Sequence, residues 1–213
     1  MARNHLVWDW NGTLLDDLSL VVASTNQTFT AVGGRLVDAD EHRSRFRRPV
    51  AEFYAEILER AISEEEFERL DRIFHEAYRL GLTTIPLVAD AEAAIKAWSG
   101  TQSLLSMWFH DELIPAVASR GLSGVFARID GRPTEVDGGF KAAHLERHLA
   151  QLGIPGDQCV LIGDSIDDAD AAASVGAGAV LYTGGFTDPV RLRASGIPVA
   201  DSLVEAVSLA KAL

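Results

Sequence analysis

The alternation of short apolar runs with amphipathic stretches restricts most strongly what this chain can fold into. After Pro86 the sequence predicts strands over residues 103–106, 125–129, 160–163 and 179–182. Helical periodicity is found over residues 90–98, 111–120, 141–152, 168–175 and 203–213. Repeated strand–helix units form a parallel sheet with helices on both faces. We therefore expect an α/β core.

The N-terminal part of the chain begins with one strand and then shows only helical signals. The apolar run His5–Trp8 predicts a buried strand that ends at Asp9. Amphipathic helices are predicted to begin near Asp17, Pro49 and Ser63. We therefore expect a Rossmann-like parallel sheet core made of residues 1–15 and 89–213. An all-helical insert is expected over residues 16–88, with hinges near residues 14–17 and 83–87.

Charge and hydropathy indicate which partners the chain can take. It carries 19 Lys and Arg residues against 31 Asp and Glu residues, a formal net charge of -12. Such an acidic surface repels nucleic acid. No apolar run approaches the roughly 18 residues of a membrane span, and the few residues before Asp9 do not form a signal peptide. We expect a cytoplasmic protein without nucleic-acid or membrane partners, with both monomer and homodimer open.

Polar residues with catalytic potential follow several of the predicted strands. Asp9 follows the first strand, Ser106 ends the second, and Asp164 and Asp168 follow a later one. Lys141 begins the helix before that later strand. In a parallel α/β sheet, ligands bind at the C-terminal ends of the strands. The sequence thus predicts a carboxylate nucleophile, a hydroxyl, a cation and an acidic pair at one edge.

These residues, in this order, resemble the four motifs of the haloacid dehalogenase-like superfamily. Asp9–Thr13 is similar to the nucleophile motif Asp-x-Asp-Gly-Thr, and Ser106 to the Ser/Thr of the second motif. Lys141 resembles the lysine of the third motif, and residues 163–168 resemble the acidic fourth. The insert is similar to the helical cap of the phosphoglycolate phosphatase and β-phosphoglucomutase branch. The resemblance covers nearly the whole chain and implies that residues 16–88 close over the site and select the substrate.

The resemblance implies magnesium-dependent phosphoryl transfer, and the residue types suit that chemistry. A phosphate ester dianion repels a carboxylate nucleophile such as Asp9, so a cation must neutralise charge between them. Mg²⁺ prefers hard oxygen ligands. We expect it to bind the carboxylates of Asp9 and Asp164 and the backbone carbonyl of Asn11. Asp168 is expected to orient metal-bound water.

Binding of the phosphorylated small molecule requires further contacts. Ser106 and the Lys141 ammonium are expected to hold the phosphate oxygens and to stabilise the charge that shifts during transfer. Three residues close to these motifs are also expected to contact the substrate: Gly12, Thr13 and Met107. Four arginines cluster in the insert, at positions 43, 45, 47 and 48. Among them, Arg47 is our candidate for binding the anionic end of the substrate.

Asn11 departs from the pattern of the family. Related phosphatases have an Asp here that protonates the leaving group and later activates water, whereas an amide cannot supply an acid proton near neutral pH. General acid–base help is worth about 10²- to 10⁴-fold, so its loss falls mainly on alkoxide leaving groups. Acyl phosphates, aryl phosphates and anhydrides suffer less. We expect slow hydrolysis, a good leaving group, or a substitute acid from the insert.

Three other functions are compatible with parts of this sequence pattern. Because of Asn11, the chain could retain a magnesium and phosphate pocket and serve as a binding or regulatory protein. A dehalogenase needs no magnesium and lacks the acidic fourth motif, so Asp164 and Asp168 argue against it. Phosphonate hydrolases of the superfamily use a cap lysine as a Schiff base. Residues 16–88 contain no lysine, which excludes that chemistry.

Several polar residues are assigned no function. Asp167 and Asp170 are predicted to be solvated charges in the first turn of a helix. His144 and His148 lie four residues apart on a predicted helix, and without a third ligand they are predicted to form a surface pair. Cys159, the single cysteine, stands in an apolar run and is predicted to be a small buried hydrophobe.

Overall fold

The computed structural model describes residues 3–132 and 140–213. Over these residues it contains a six-stranded parallel sheet in the order β3-β2-β1-β4-β5-β6. The strands are β1 (His5–Trp8), β2 (Thr101–Phe109), β3 (Ile129–Arg132), β4 (Cys159–Gly163), β5 (Gly178–Tyr182) and β6 (Val199–Ala200). The predicted α/β fold with a Rossmann-like sheet is confirmed.

The register of the central strands aligns their C-terminal ends. Trp8, the last residue of β1, pairs with Leu104 of β2 and with Ile162 of β4. The N–H of Asp9 continues this ladder by donating to the Ile162 carbonyl at 2.9 Å. The residues that follow β1 and β4 therefore meet at the same edge of the sheet.

A helical segment lies between β1 and β2 in the sequence. It comprises α1 (Leu18–Thr30), α2 (Ala39–Arg45), α3 (Val50–Ile57) and α4 (Glu64–Leu82). These helices have an apolar core of their own, which includes Phe29, Phe53, Tyr54 and Leu70. The predicted all-helical insert is therefore present.

The two connections to the insert lie side by side. The Asp16 N–H donates to the Pro86 carbonyl at 3.1 Å, and the Val88 N–H donates to the Leu14 carbonyl at 2.9 Å. A β-bridge also joins Leu15 to Leu87. The segments predicted as hinges thus run beside each other at the base of the insert.

In the described part of the chain, six further helices cover the sheet. On one face, α5 (Ala91–Ala97), α6 (His110–Ser119) and α10 (Leu203–Ala210) pack against Leu6 and Trp8. On the other face, α7 (Ala142–Leu152), α8 (Ile166–Ser174) and α9 (Pro189–Ala194) pack against Val7 and Leu161. Because both faces are covered, the central strands are apolar throughout rather than alternating. Among the described helices, none has the length and apolarity needed to cross a bilayer.

Some elements differ from the sequence predictions. The third strand spans Ile129–Arg132 rather than residues 125–129, and α2, α9 and β6 had not been predicted. In α2 only His42 is buried, so its charged sequence shows no apolar stripe. Strand β3 lies at the sheet edge and is largely half-buried, so it lacks the continuous apolar run of a central strand. Apolar periodicity cannot reveal such elements.

The predicted surface location of His144 and His148 was wrong, because both side chains are buried. They lie on the face of α7 that packs against the sheet, next to Leu145 and Leu149. His148 Nε2 lies 2.7 Å from Ser103 Oγ. Its Nδ1 lies 2.7 Å from a carboxylate oxygen of the half-buried Asp130. Cys159 is a buried free thiol, as predicted.

Candidate active site

Four charged side chains meet at the C-terminal edge of the sheet. Asp9 follows β1, Asp164 follows β4, Asp168 lies in the first turn of α8, and Lys141 immediately precedes α7. Oxygen atoms of the three carboxylates lie within 4.8 Å of one another. The Lys141 ammonium donates to Asp9 Oδ1 at 2.5 Å and also to Asp168 Oδ1. The structure thus brings together the predicted nucleophile, cation and acidic pair, all of them buried.

The charges in this cluster do not balance. Three carboxylates and one ammonium leave a formal excess of two negative charges. Burial raises the pKa of Asp9 to about 6, although Lys141 opposes the rise. Burial and the neighbouring carboxylates also raise the pKa of Asp164 well above its usual range. Buried, clustered oxygen donors with this excess charge fit a divalent cation.

Lys141 is charged despite its burial. Burial alone lowers the pKa of its ammonium, but the carboxylates of Asp168 and Asp9 outweigh this effect and raise the pKa. Its backbone N–H is 3.2 Å from Asp167 Oδ2, so the segment that carries the ammonium is also held from α8. A fixed positive charge therefore lies beside the candidate nucleophile.

Glycines allow two loops to approach Asp164. Gly12 has a φ of 71°, and a Cβ at this position would lie 2.6 Å from Asp164 Oδ2. A Cβ on Gly185, in the loop after β5, would lie 2.1 Å from the same oxygen. The Phe186 N–H donates to that oxygen. Side chains larger than hydrogen at these positions would collide with the acidic cluster.

Asn11 is held by three other side chains. Its Nδ2 donates to Asp17 Oδ2 at 2.9 Å and to the Tyr78 hydroxyl at 2.8 Å. The Tyr78 hydroxyl in turn donates to Asp17 Oδ2 at 2.6 Å. Asn11 Oδ1 accepts a hydrogen bond from Ser106 Oγ at 3.1 Å. The amide therefore has a fixed orientation with its two hydrogens directed at Asp17 and Tyr78.

Sequence reasoning missed Asp17 and Tyr78. Asp17 was interpreted only as a helix start, yet its side chain makes no capping hydrogen bond to α1. Instead it accepts from the N–H of Gly12 at 2.7 Å, and burial raises its pKa to about 6. Tyr78 is contributed by α4, far along the chain. The one available signal was the position of Asp17 at the hinge beside the first motif.

A cavity of about 140 Å³ connects this cluster with the insert. The predicted residues Asp9, Asn11, Met107, Lys141, Asp164 and Asp168 line it. Predicted substrate contacts that do not line it are Gly12, Thr13, Ser106 and Arg47. Thr13 is buried and directs Oγ1 to Asp9 Oδ2 at 3.3 Å. Ser106 is buried too, and its Oγ accepts from the Trp108 N–H at 2.9 Å.

A neighbouring arginine, rather than Arg47, reaches the cavity. Arg47 forms an ion pair with Glu56 at the surface of the insert, which explains why it lies outside. Arg48 lines the cavity, with Nε 3.4 Å from Asp167 Oδ2. Asp167 also lines the cavity, so its interpretation as a solvated charge was wrong. In contrast, Asp170 is exposed as predicted.

Comparisons with known proteins agree with this architecture. The family model of haloacid dehalogenase-like hydrolases matches residues 4–176. A phosphoglycolate phosphatase of Mesorhizobium japonicum is 26% identical over 199 residues, covering 88% of this chain and 86% of that protein. A solved structure of a predicted phosphatase from Clostridium acetobutylicum has a TM-score of 0.87 and 17% identity, covering all of both chains. A hydrolase from Pseudomonas syringae has a TM-score of 0.79 and 21% identity, covering 96% of each chain. From the matched family model, which spans both the acidic cluster and the insert, this chain belongs to the haloacid dehalogenase-like hydrolases.

Proposed function

We propose that this protein is a Mg²⁺-dependent phosphatase that hydrolyses a small-molecule phosphate monoester through a phosphoryl-aspartate on Asp9. The observation that carries the proposal is the buried cluster of Asp9, Asp164 and Asp168 around Lys141. Its excess negative charge fits a dication, and its lysine fits a phosphate. The phosphoglycolate phosphatase of Mesorhizobium japonicum supports phosphate esters as the substrate class.

The donor set suits Mg²⁺, which favours carboxylate and carbonyl oxygens. Asp9, Asp164 and the backbone carbonyl of Asn11 would hold the cation, with Asp168 supporting its bound water. When bound, Mg²⁺ neutralises charge between the carboxylate nucleophile and the phosphate dianion. The same oxygen-rich set supports phosphate over halide as the group removed, which argues against a dehalogenase.

Asp9 carries out the nucleophilic step. A carboxylate with a pKa of about 6 is largely ionised at pH 7, as this role requires. One Asp9 oxygen attacks phosphorus, the ester P–O bond breaks, and its electron pair leaves with the substrate oxygen. Lys141 stabilises the charge on the phosphoryl oxygens. Water then attacks phosphorus, the bond to Asp9 breaks, and inorganic phosphate is released.

Asn11 leaves the departing oxygen without the usual proton donor. An amide is no acid at neutral pH, and both of its hydrogens are already bound by Asp17 and Tyr78. A binding or regulatory role is therefore the second candidate function, because a pocket without an acid can bind phosphate and turn it over slowly. The two candidates differ in whether any ester is turned over repeatedly.

We also propose that the insert, taken as residues 16–88, acts as a cap that encloses the substrate. Contacts between the insert and the core support this role. Arg191 Nη1 donates to the Phe46 carbonyl at 2.8 Å. Arg79 Nη2 of α4 lies 2.7 Å from a carboxylate oxygen of Glu112 on α6. The paired connections at its base would allow the insert to move as a unit.

The test is phosphate release from phenyl phosphate and ethyl phosphate, with Mg²⁺ and with EDTA. Turnover with Mg²⁺, its loss with EDTA and its loss in Asp9→Asn would support the phosphatase. Asp168→Asn is expected to reduce the rate by about 10- to 10²-fold. Asp170→Asn, an exposed neighbour on the same helix, is the matched control and should retain the wild-type rate.

Each alternative has its own outcome in this assay. If neither ester is turned over but inorganic phosphate binds in the presence of Mg²⁺, the binding protein is favoured. Turnover that persists in Asp9→Asn would refute the phosphoryl-aspartate mechanism. A stable ³²P label on wild type after acid quenching, absent from Asp9→Asn, would identify the covalent intermediate directly.

A further inference from the structure

The cavity next to Asp9 has two chemically different halves. Its floor is formed by the acidic cluster and Lys141, which suit a phosphate group. Its roof is aromatic and comes mainly from the insert: Phe46, Phe53, Tyr54, Phe67, Phe74 and Tyr78. Polar phosphate esters gain little from such a roof, whereas a flat apolar group gains from both burial and ring contacts.

One face of α4 supplies much of this roof. Phe67, Asp71, Phe74 and Tyr78 recur at intervals of three or four residues, which places them along one stripe of the helix. Phe67 and Phe74 are only half-buried and line the cavity. Aromatic side chains in this state still have surface available to a bound ring.

The roof is held in place by ring contacts between the insert and the core. Tyr78 lies 4.7 Å from Trp108 of β2, measured between ring centroids. Phe46 lies 5.7 Å from Phe186, edge to face. These distances are typical of favourable aromatic pairs. The rings of Tyr78 and Phe46 are therefore held against the core without any contribution from a substrate.

The charged groups in the roof do not favour a second anionic group on the substrate. Asp71 contributes a carboxylate, with Oδ2 3.3 Å from His75 Nε2. Of the arginines that line the cavity, Arg48 faces Asp167 and Arg132 covers the ring of Phe109 at 4.4 Å. A substrate whose far end is a carboxylate would approach Asp71 and displace existing contacts.

The missing acid at Asn11 is a second indication of the substrate, independent of the aromatic roof, because it limits which leaving groups can depart. Without a proton donor, departure depends on how stable the released anion is. Phenols have a pKa near 10, as tyrosine does, whereas water has a pKa near 15.7 and simple alcohols are similarly weak acids. Acyl phosphates, aryl phosphates and anhydrides all have leaving groups that depart without an acid. Among these substrates, only an aryl phosphate necessarily contains a flat apolar ring.

We propose that the substrate is a small aryl phosphate monoester, whose ring lies under the aromatic roof while its phosphate meets Asp9 and Lys141. This inference rests on the proposed phosphatase function. An Asp9 oxygen forms the new P–O bond as the aryl O–P bond breaks. The electron pair leaves on the aryloxide, which takes a proton from water after release. The cavity volume of about 140 Å³, close to that of an apolar cavity that accepts one benzene ring, limits the organic group to no more than a single ring.

The first experiment measures binding separately from chemistry. Phenylphosphonate and methylphosphonate are not hydrolysed, and their dissociation constants are measured by calorimetry with the full chain and Mg²⁺. Phenylphosphonate is expected to bind at least roughly 10-fold more tightly. Phe67→Leu and Phe74→Leu keep an apolar side chain and should reduce this ratio severalfold. Leu80→Ala, at an exposed position of the same helix, should leave it unchanged.

The second experiment separates ring recognition from leaving-group chemistry. Phenyl and benzyl phosphate share a ring but release a phenoxide and an alkoxide, respectively. The kcat for phenyl phosphate should exceed that for benzyl phosphate by at least about 10²-fold, with KM values within about threefold.

The outcomes distinguish this inference from the proposed function. Equal binding of the two phosphonates, or an unchanged ratio in both phenylalanine variants, would overturn aromatic recognition. Equal kcat for phenyl and benzyl phosphate would overturn the leaving-group argument. If ethyl phosphate is hydrolysed faster than phenyl phosphate, the phosphatase stands and the aryl substrate fails. If no ester is hydrolysed although the phosphonates bind as expected, the phosphatase fails and the ring site stands.

Discussion

The amide of Asn11 donates a hydrogen bond to the buried carboxylate of Asp17 at 2.9 Å. Within residues 3–132 and 140–213 no cation forms an ion pair with Asp17, whose carboxylate accepts from three donors: the Asn11 amide, the Tyr78 hydroxyl and the Gly12 N–H. The residue at the acid–base position of the family is thus part of a polar network that joins the first motif to the insert. Changing that residue alters the network as well as the chemistry.

Asn11→Asp is expected to lower the stability of the protein at neutral pH. It replaces a hydrogen-bond donor by a second carboxylate next to buried Asp17, at a cost on the order of 2 kcal/mol in the free energy of unfolding. Because the Asp17 pKa is already about 6, the loss should shrink as the pH falls to 5. Urea unfolding at pH 7.5 and pH 5 measures this. A variant as stable as wild type at pH 7.5 would contradict it.

Exchange of Asn11 and Asp17 should restore stability and place a carboxylic acid at position 11. In Asn11→Asp with Asp17→Asn, an amide again faces a carboxylate, so most of the lost stability should return. Turnover of ethyl phosphate should rise by about 10²- to 10⁴-fold over wild type, while turnover of phenyl phosphate changes little. Asp17→Asn alone is the control. An equal gain on both esters would show that proton donation is not what Asn11 removes.

Mg²⁺ should stabilise the folded protein without any substrate. The excess negative charge around Lys141 is relieved when a dication binds, and a ligand at 100 times its dissociation constant adds about 2.7 kcal/mol. Thermal unfolding with and without Mg²⁺ measures the shift in Tm. Asp164→Asn should abolish most of the shift, and Asp170→Asn should keep it. A similar shift in both variants would place the cation elsewhere.

Burial of His42 should make the protein sensitive to acid. Burial lowers the pKa of His42 to about 4, from 6.5 in the unfolded chain. Because the folded pKa is the lower one, the stabilising contribution is full above pH 6.5 and is lost as the pH falls towards 4. It is worth up to about 3 kcal/mol.

His42→Phe isolates this effect. The side chain stacks on Phe46, and its Nδ1 has no hydrogen-bond partner among the described residues, so a phenyl ring should fit. Unfolding free energies of variant and wild type are compared at pH 7 and pH 4.5. Relative to wild type, the free energy of unfolding of His42→Phe should increase by roughly 2 kcal/mol between pH 7 and pH 4.5. A difference independent of pH would show that His42 does not titrate in this range.

Much of the core could be predicted from the sequence because its strands are buried on both faces. β4 and β5 appear as uninterrupted apolar runs, since no residue in them faces solvent. β3 was misplaced and β6 was missed because strands at the sheet edges bury only part of their side chains. A strand has a recognisable apolar pattern only where its side chains are buried, and edge strands bury fewer of their side chains.

The sequence by itself determined the floor of the site. Asp9 and Asp164 directly follow predicted strands, and parallel strands bring such residues to one edge whatever the details of packing. Only the tertiary structure decided three other features: the Asn11–Asp17–Tyr78 network, the presence of Arg48 rather than Arg47 in the cavity, and the aromatic roof. They depend on how α4 and the segment between α2 and α3 pack over the sheet. Contacts between residues far apart in the chain leave no periodic signal, because their distances are set by packing rather than by spacing in the sequence.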